Sequence, residues 1–534
     1  MPTVRETTHQ LLRDRGLTTV FGNPGSNELP FLDGFPADFR YVLGLHEGAV
    51  LAMADGYAQA SGRPALVNLH SAAGLGNALG VLANSRASGT PLVVTAGQQA
   101  RAMVGLGSVL AEPDMVRVPE PQVKWAYEPT RAQDVPRALS EAVHRATLPP
   151  TGPVFVSLPL DDWAAEVDPD EVAALPARTV RWAGAASPDL VAELVERLSA
   201  AGAPAVVVGP EVDDERAFDV VVRLAERLQA PVWTAPTPPR CPFPTRHPLW
   251  QGVLPPSIAG VGEHLAGHDL VLVLGAPVFR YHAYRPGPWL PAGTELVAVT
   301  SDPAIAARPA FGDAVVGDVA AIAGQLLDAL AGMPSREPRP APARPEPPTA
   351  AGSAPFPADT VFGLLAEALP AHARLVNEST SNTVQFWQHL RVDRPRGLFF
   401  PAAGGLGFGL PAAVGVALAD PGRPVVAVLG DGAVQYGVAG LWSAVQLDLP
   451  VTFLVLRNGG YGALRGFLAQ LGVGSAPGLD LPGLDAVAVA AGYGMPAQRI
   501  DTAEELVAAL RCTASTPGPR LLEVAITAET RALG

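Results

Sequence analysis

The chain lacks features that mark several classes of protein. Only two cysteines occur among 534 residues, Cys241 and Cys512, and they are too far apart for the short spacing of a metal-binding motif. We interpret both as reduced thiols, which are usual in cytoplasmic proteins. No cluster of lysine and arginine stands out and the net charge is −14, so we expect no nucleic-acid partner and no membrane partner.

Long apolar runs are also missing. The longest uncharged stretch, 399–419, is interrupted by prolines and glycines, which makes a membrane span unlikely to form there. Residues 1–16 are polar and charged, so we predict no signal peptide and a cytoplasmic location. Apolar residues make up 48% of the chain, which excludes a disordered protein, and its length predicts about two to four domains.

Short apolar runs alternate with segments of helical length along most of the chain, which is typical of α/β folds with doubly wound parallel sheets. We predict three such domains: 1–180, 181–332 and 359–534. Residues 333–358 are rich in proline and predict an extended linker. In the first third the predicted strands are Leu17–Phe21, Tyr41–Leu45, Ala65–Leu69 and Leu92–Ala96. No GxGxxG motif follows a predicted strand in the middle third, so a nucleotide site there is unsupported.

The stretch 425–463 predicts a β-α-β unit, with strands at Val425–Leu429 and Val451–Leu456 and a helix at about Val434–Leu447. Asp431 follows the first strand and Asn458 the second, so both should lie at the carboxyl end of the sheet. One carboxylate and one amide oxygen among glycines suit a hard cation that also carries phosphate. The alternative is a tight turn in which Asp431 only caps a helix.

Three polar residues of the first third occupy equivalent places, each after a predicted strand: Ser26, Glu47 and His70. Ligands bind at such strand ends in open α/β sheets. Each residue also has a structural explanation, since Ser26 could cap a helix beginning at Asn27 and Glu47 could complement a helix dipole. His70 could be a satisfied histidine, and His282, on a loop of the middle third, could be a surface histidine.

The spacing from Gly430-Asp431-Gly432 to Asn458, 27 residues from Asp431, resembles the motif of thiamine-diphosphate enzymes. Across the whole chain, eight segments in order resemble the thiamine-diphosphate-dependent decarboxylases, in particular those that act on aryl 2-keto acids. These segments are VFGNPGSNELPFL, NLHSAAG, PLVVTAGQQ, RCPFPTRHP, GAPVFRYH, NEST, AAGGLGF and NGGYGALR. Arg457 departs from the pattern, because the family often has asparagine at that position.

The resemblance implies a pyrimidine-binding domain, a middle domain and a diphosphate-binding domain, with thiamine diphosphate and Mg²⁺ or Ca²⁺ as cofactors. The implied metal ligands are Asp431, Asn458 and the carbonyl of Gly460. Glu47 would contact the pyrimidine ring, and Leu406 would support the bent cofactor. Further implied cofactor contacts are Asn23, Thr380, Ser381, Gly430, Gly432, Ala433, Tyr436, Tyr461, Gly462 and Ala463.

The resemblance also implies a substrate pocket and a reaction. The pocket residues would be Ser26, His70, Leu110, Phe400 and Phe467, with His70 and His282 in the proton transfers. The implied reaction is the non-oxidative decarboxylation of an aryl 2-keto acid such as benzoylformate through a cofactor-bound enamine, with carboligation as a possible side activity. The active site would lie between subunits of a homodimer or homotetramer.

Two alternatives stay open at the level of sequence. One is a thiamine-diphosphate lyase or synthase that makes acyloins, or a decarboxylase of another 2-keto acid. The other is a catalytically silent scaffold, which would be expected to lack Glu47 or the metal ligands; this chain has both.

Overall fold

The computed structural model describes residues 1–334, 336–344, 346, 351–514 and 517–528. It contains three six-stranded sheets, and the strands within each sheet pair in parallel. The prediction of three doubly wound α/β domains is therefore confirmed. Among the residues described, no helix is both long and apolar enough to cross a membrane.

The first sheet is formed by the first third of the chain, and its strand order is β2-β1-β3-β4-β6-β5. Its strands are β1 (Thr19–Gly22), β2 (Arg40–Leu43), β3 (Ala65–Leu69), β4 (Leu92–Gln98), β5 (Ala126–Tyr127) and β6 (Val154–Pro159). Its helices are α1 (Val4–Asp14), α2 (Leu29–Leu32), α3 (Glu47–Ser61), α4 (Ser71–Ser88), α5 (Arg101–Val104), α6 (Val135–Thr147) and α7 (Pro169–Val172). β3 and β4 are buried along their whole length, as parallel strands covered on both faces require.

The second sheet has the order β12-β11-β10-β7-β8-β9. Its strands are β7 (Pro204–Val208), β8 (Val232–Thr234), β9 (Trp250–Val253), β10 (Leu270–Leu274), β11 (Glu295–Thr300) and β12 (Asp313–Val316). Its helices are α8 (Pro188–Ala200), α9 (Phe218–Leu228), α10 (Ile258–His264), α11 (Pro303–Ala307) and α12 (Val319–Leu330). Apolar runs in the sequence predict the four inner strands, at Ala205–Val208, Val232–Thr234, Leu270–Leu274 and Leu296–Val299. They do not predict the edge strands β9 and β12, which are less apolar or less buried.

The third sheet has the order β14-β13-β15-β16-β18-β17. Its strands are β13 (Arg374–Glu378), β14 (Leu398–Phe399), β15 (Val425–Gly430), β16 (Val451–Arg457), β17 (Ala497–Ile500) and β18 (Arg520–Ala525). Its helices are α13 (Ala358–Ala368), α14 (Thr383–His389), α15 (Gly409–Ala419), α16 (Asp431–Gly437), α17 (Gly440–Gln446), α18 (Gly462–Leu471), α19 (Ala486–Gly492) and α20 (Ala503–Arg511).

The predicted single helix 434–447 is wrong: two short helices, α16 and α17, occupy this stretch and the first begins at Asp431. The helix breaks where it passes α15. A Cβ atom on Gly437 would lie 2.7 Å from Pro411, and one on Gly440 would lie 2.7 Å from Leu410. Because the glycines allow this close approach, the chain turns against α15 instead of continuing as one helix.

Small residues also let the first and third domains pack closely. Helices α3 and α15 cross at Gly56 and Gly415, where an added Cβ atom would overlap the backbone of Ala412 and Met53 respectively. No larger residue fits at either glycine without moving a backbone apart. The crossing fixes how the two sheets sit relative to each other within one chain.

A buried polar network joins all three domains. Arg240 of the middle domain donates from Nε to Gln59 Oε1 at 3.1 Å, and Gln59 donates to Asp55 at 2.6 Å. Asp213 accepts from the backbone nitrogen of Arg396 at 2.8 Å. Burial raises the pKa of Asp213, while the nearby Arg240 opposes that shift. These contacts hold the middle domain against both outer domains.

The predicted linker, 333–358, is only partly described, since residues 335, 345 and 347–350 lie outside the described residues. Its described residues contain no helix or strand before α13 begins at Ala358. Arg336 donates to the carbonyls of Leu198 and Ala201 at 2.8 and 2.7 Å, and Arg344 donates to the carbonyl of His247 at 3.0 Å. Residues 336–344 therefore lie along the middle domain, whereas Ala354 and Phe356 donate to Asp501 O and Ala525 O of the third domain.

Candidate active site

Asp431 and Asn458 lie at the carboxyl ends of the paired strands β15 and β16, as predicted. The carboxylate of Asp431 accepts from the backbone nitrogen of Gly432 at 2.9 Å and of Gly459 at 2.8 Å. Burial raises its pKa, and these backbone donors oppose the shift. Asp431 thus joins the ends of two neighbouring strands, which is more than the helix-capping role that the alternative interpretation gave it.

The oxygens of this edge suit a hard divalent cation. The Asn458 side-chain oxygen accepts from Gly460 N at 3.1 Å, and the Gly460 carbonyl accepts from Gly462 N at 3.1 Å. Each of the three oxygens is held by a backbone N–H group, and each keeps a lone pair for another partner. Carboxylate, amide and carbonyl oxygens are the ligands that Mg²⁺ and Ca²⁺ prefer. The donor set therefore fits the metal that the sequence implies.

The other predicted cofactor contacts of the third domain lie at the same edge. Ser381 Oγ accepts from Ala463 N at 2.9 Å, which ties the turn after β13 to the start of α18. The neighbouring Tyr436 hydroxyl raises the pKa of Tyr461. The remaining predicted contacts occupy the turn after β13, the last residue of β15 and the first turns of α16 and α18: Thr380, Gly430, Gly432, Ala433 and Gly462.

Two glycines at this edge, Gly432 and Gly462, lie in close contact with neighbouring side chains. A Cβ atom on Gly432 would lie 2.9 Å from the Tyr461 ring, and one on Gly462 would lie 3.0 Å from Ser381 Oγ. Larger residues would push these turns apart. The short distances between the turns bring many backbone N–H groups to one place, which suits a diphosphate.

Leu406 lies in a turn held from two sides. Asn84, on α4 of the first domain, donates to the carbonyl of Gly405 and accepts from Ala403 N, both at 2.9 Å. Glu378, at the end of β13, accepts from the backbone nitrogens of Gly407, Phe408 and Gly409 at 3.0–3.1 Å. Burial raises the pKa of Glu378 to about 8. These two side chains fix the turn that carries Leu406.

Arg457, the departure from the family pattern, points to a partner of its own. Its Nε lies 3.1 Å from Glu523 Oε1, and Arg499 Nε lies 3.0 Å from the same oxygen. Glu523 is 2% exposed and sits on the neighbouring strand β18. Arg457 is therefore part of an ion-pair cluster on that strand, and Asn458 keeps its place at the strand end.

The polar residues of the first domain lie at the carboxyl end of the first sheet, as predicted. Asn23 and Ser26 follow β1, Glu47 opens α3 after β2, and His70 precedes α4 after β3. The capping role considered for Ser26 is wrong, because the nearest helix begins at Leu29 and takes no side-chain cap. Ser26 is exposed, and its hydroxyl lies 3.4 Å from Asn27 Oδ1.

His70 is oriented by a buried carboxylate that sequence reasoning missed. Its Nδ1 lies 2.7 Å from Glu28 Oε2, and Glu28 is 1% exposed. Glu28 also accepts from Gly25 N at 2.9 Å and from Gly97 N at 2.8 Å. Because a carboxylate accepts hydrogen bonds, the pairing places the histidine proton on Nδ1 and leaves Nε2 for another partner. Gly25 packs flat against the imidazole ring, where a Cβ atom would overlap it.

Glu47 occupies the first turn of α3 with one side-chain partner, Asn77, whose Nδ2 donates to Oε2 at 3.1 Å. The opposite oxygen, Oε1, faces Gly74, where an added Cβ atom would lie 2.9 Å away. The absence of a side chain at Gly74 therefore leaves room for the carboxylate.

His282, a residue of the middle domain, contacts the third domain. Its ring meets the ring of Phe467 on α18 edge to face, with centroids 4.8 Å apart. Phe400 follows β14, and its backbone nitrogen donates to Pro239 O of the middle domain at 2.9 Å. Leu110 lies on a loop of the first domain with a left-handed backbone, φ 67°. The structure thus joins His282 to one predicted pocket wall, while Leu110 lies apart on its own loop.

The predicted residues form two groups. Among the residues described in one chain, no hydrogen bond or ion pair links Ser26, Glu47 or His70 to the oxygen ligands around Asp431. Both groups lie at the carboxyl ends of sheets with the same strand order. One group carries acid–base side chains and the other carries oxygen ligands and backbone donors.

Three successive parts of the chain match profiles of known proteins. Residues 2–118, 191–326 and 378–524 match, in order, the profiles described as "Thiamine pyrophosphate enzyme, N-terminal TPP binding domain", "central domain" and "C-terminal TPP binding domain". The chain is 54% identical to benzoylformate decarboxylase of Pseudomonas aeruginosa, over 98% of this chain and 99% of that protein.

Solved structures agree with these matches. A thiamine diphosphate-dependent 4-hydroxybenzoylformate decarboxylase of Rhodococcus jostii is 50% identical with a TM-score of 0.95, covering 98% of this chain and 99% of that one. Benzoylformate decarboxylase of Polynucleobacter necessarius is 40% identical with a TM-score of 0.94, and the match covers both chains fully. A more distant relative is the large subunit of acetolactate synthase isozyme 1 of Escherichia coli, 26% identical over 97% of this chain and 93% of that protein.

Proposed function

Since the chain belongs to the thiamine pyrophosphate enzymes, we propose that it decarboxylates an aryl 2-keto acid of the benzoylformate type to the aldehyde and CO₂. Three relatives that are 40–54% identical and match over nearly their whole length carry this activity in their names. The structural observation that supports the proposal is the contact of His282 with Phe467, because an imidazole beside an aromatic ring suits proton transfer next to a bound aryl group.

Thiamine diphosphate would be held at the edge of the third sheet, with Mg²⁺ or Ca²⁺ bound by Asp431, Asn458 and the Gly460 carbonyl. When bound, the thiazolium ring supplies the electron sink that losing CO₂ requires. The turns around Gly432 and Gly462 would hold the diphosphate, and Leu406 would support the cofactor. The turn that carries Leu406 is kept in place by Asn84 and Glu378.

Glu47 would hydrogen-bond the pyrimidine ring and pass a proton to it. Its Oε2 is already engaged by Asn77, so Oε1 is the oxygen left for the cofactor. A positioned carboxyl group acting as general acid and base contributes typically about 10²–10⁴ to a rate. Gly74 keeps this oxygen unobstructed.

His70 and Ser26 would act on the substrate from the same edge. The Ser26 hydroxyl can donate to the substrate carboxylate. The pairing of Nδ1 with Glu28 leaves Nε2 of His70 to donate or accept a proton at the reacting carbon and oxygen. His282 would serve the other proton step beside Phe467, and Phe400 and Leu110 would complete the pocket for the aryl ring.

The active site would form between two copies of the chain in a homodimer or homotetramer. The edge of the first sheet exposes Leu29, Leu106 and Val109, which are 59%, 74% and 84% exposed. Helices α16 and α18 of the third domain likewise expose Tyr436 and Leu464, which are 58% and 48% exposed. Exposed apolar side chains on both domains suit burial by a second subunit. The Glu47 group of one chain would then meet the Asp431 group of its partner, in a cytoplasmic enzyme.

The reaction is tested by incubating the protein with thiamine diphosphate and Mg²⁺ and measuring CO₂ and aldehyde. We expect release from benzoylformate and little from pyruvate. The acetolactate synthase relative makes the pyruvate arm informative. Release of CO₂ from pyruvate but not from benzoylformate, with an acyloin or acetolactate as product, would contradict the proposed aryl decarboxylase activity.

A further inference from the structure

We propose that a second pocket, remote from the ligand edges, binds a small aryl carboxylate. The pocket is a cavity of about 150 Å³ between α13, α14 and the loop before β9, with the start of β13 at its base. Its apolar wall is formed by Phe362, Leu365, Leu369, Leu375, Phe386 and Leu390. This inference is independent of the proposed reaction.

The size and lining of the cavity favour a single aromatic ring. A cavity of roughly 150 Å³ lined by Leu, Ile and Phe is large enough to take up benzene. Phe362 and Phe386 meet edge to face, with ring centroids 5.6 Å apart, and both are buried. This buried pair gives the cavity a rigid, apolar wall.

The mouth of the cavity is positively charged. Arg246 and Arg391 line it, and Arg344 lines the smaller space that adjoins it. Two carboxylates also face this region: Glu367, which forms an ion pair with Arg391, and Asp393. Three guanidinium groups thus meet two carboxylates, and the balance favours an anion.

Two of the guanidinium groups have N–H groups without a hydrogen-bond partner among the described residues. No residue that the structure describes forms a hydrogen bond or an ion pair with the side chain of Arg246, which is exposed. The Nε atom of Arg391 is buried and has no hydrogen-bond partner. An unpaired buried donor is unfavourable, and a carboxylate can satisfy it.

The electrostatics of the neighbouring groups agree with this. Burial, and then the charge of Arg246, lower the pKa of both Arg391 and Arg344. Arg344 also lies over the Trp250 ring at 5.5 Å and donates to His247 O. His389 is occupied by Asp359 at 3.2 Å, so it adds little to anion binding. Arg246 and Arg391 are therefore the groups that face the anion.

The pocket is separated from the ligand edge by the length of a strand. Leu375 lines it near the start of β13, while Ser379 and Thr380 follow the other end of the same strand. At about 3.3 Å per residue, the strand places the pocket on the order of 10 Å or more from the cofactor contacts. A ligand here would not occupy the active site.

The test is anomalous diffraction from crystals of the holoenzyme soaked with 4-bromobenzoate, together with ¹⁹F NMR titration of 4-fluorobenzoate. We expect a bromine peak in the cavity, distinct in position from any peak at the active site. Arg246→Ala should weaken binding there roughly ten-fold, since a charged hydrogen bond is lost. Ala366→Leu, which fills the cavity wall, should abolish the peak.

The matched control is Arg63→Ala, an exposed arginine on another domain, which should leave the peak and the titration unchanged. An empty cavity in the presence of an active-site peak would overturn the proposal. So would equal occupancy by uncharged bromobenzene, or binding unaffected by Arg246→Ala, because either would show an apolar hole without carboxylate recognition. Displacement of the probe by sulfate alone would likewise exclude recognition of the ring.

Discussion

The first and third sheets have the same strand order but carry different chemistry at the same edge. In the local numbering of each domain both run 2-1-3-4-6-5, whereas the middle sheet runs 6-5-4-1-2-3. Where the first sheet places His70 after its third strand, the third sheet places Asp431 after its own third strand. The comparison shows that topology fixes where a site lies, and that the side chains at the strand ends fix what the site does.

Each edge also depends on one buried glutamate. Glu28 binds two backbone nitrogens and His70, so it directs an acid–base group. Glu378 binds three backbone nitrogens of the Leu406 turn and no described side chain, so it shapes a loop. The comparison predicts that changes at the first edge reduce turnover, and that changes at the third edge reduce cofactor retention.

The largest effect is expected for Asp431→Asn, which removes the only carboxylate from the proposed metal ligands. Substituting a residue that hydrogen-bonds a metal ligand typically lowers metal affinity roughly 10–100-fold. Substituting a ligand itself should lower the affinity further. We expect the variant to lose thiamine diphosphate on gel filtration, measured by quantifying bound cofactor. Asp328→Asn, on the exposed side of α12, is the control and should keep it. Full retention by Asp431→Asn would contradict the metal site.

Glu47→Gln is expected to lower kcat by about 10²–10⁴ while the cofactor stays bound, because it removes a proton-transfer group and keeps the shape. Turnover and bound cofactor are measured on the same preparation. Glu196→Gln, an exposed glutamate of α8, should behave like the parent. Loss of cofactor together with turnover would erase the distinction between the two edges.

A smaller loss is expected for Glu28→Gln, roughly ten-fold in kcat, since His70 remains but loses its charged partner. Glu28→Asp keeps the negative charge but moves it away from His70 by one methylene group. Its kcat should lie between those of the parent and Glu28→Gln. Steady-state kinetics with unchanged cofactor content would support the role. An unaffected kcat in both variants would show that Glu28 serves only the fold.

Gly74→Ala should lower kcat several-fold, because the new Cβ atom would displace Glu47 Oε1 without removing the carboxylate. Gly76→Ala offers a matched control on the same helix, as an added Cβ there meets nothing within 4 Å. Equal rates for the two variants would mean that the position of Glu47 is not set by Gly74.

Stability, unlike turnover, should depend on pH through Glu378. Burial raises the pKa of Glu378 from its ordinary value of 4.5 to about 8. A raised pKa means that the folded state holds the proton more tightly, so stability should fall as pH rises from about 4.5 to about 8. Glu378→Gln should flatten this slope in urea unfolding, and Glu196→Gln should not. Parallel slopes for Glu378→Gln and the parent would refute the assignment.

Much of this organisation could be predicted from local sequence. Strands buried on both faces are continuous apolar runs, and polar residues directly after them mark the edge, which identified Glu47, His70, Asp431 and Asn458. The roles of these residues rest on family resemblance, and the geometry is consistent with them.

What the sequence could not predict depends on distant partners. Glu28 binds Gly97, 69 residues away, and no local pattern marks such a contact. The same holds for Glu378, because its partners Gly407, Phe408 and Gly409 lie 29–31 residues later in the chain, between β14 and the first residue of α15. The break between α16 and α17 arises from contact with α15, so helical periodicity alone predicted one continuous helix.

We propose that two edges of the same topology, carried by different subunits, meet in one site. The most direct test mixes the Glu47→Gln and Asp431→Asn variants, unfolds them together and refolds them, or co-expresses them. A mixed dimer has one site with both defects and one site with neither, so random pairing should restore about a quarter of the parent activity. Activity no higher than that of the separate variants, in mixed dimers shown to form, would contradict the account.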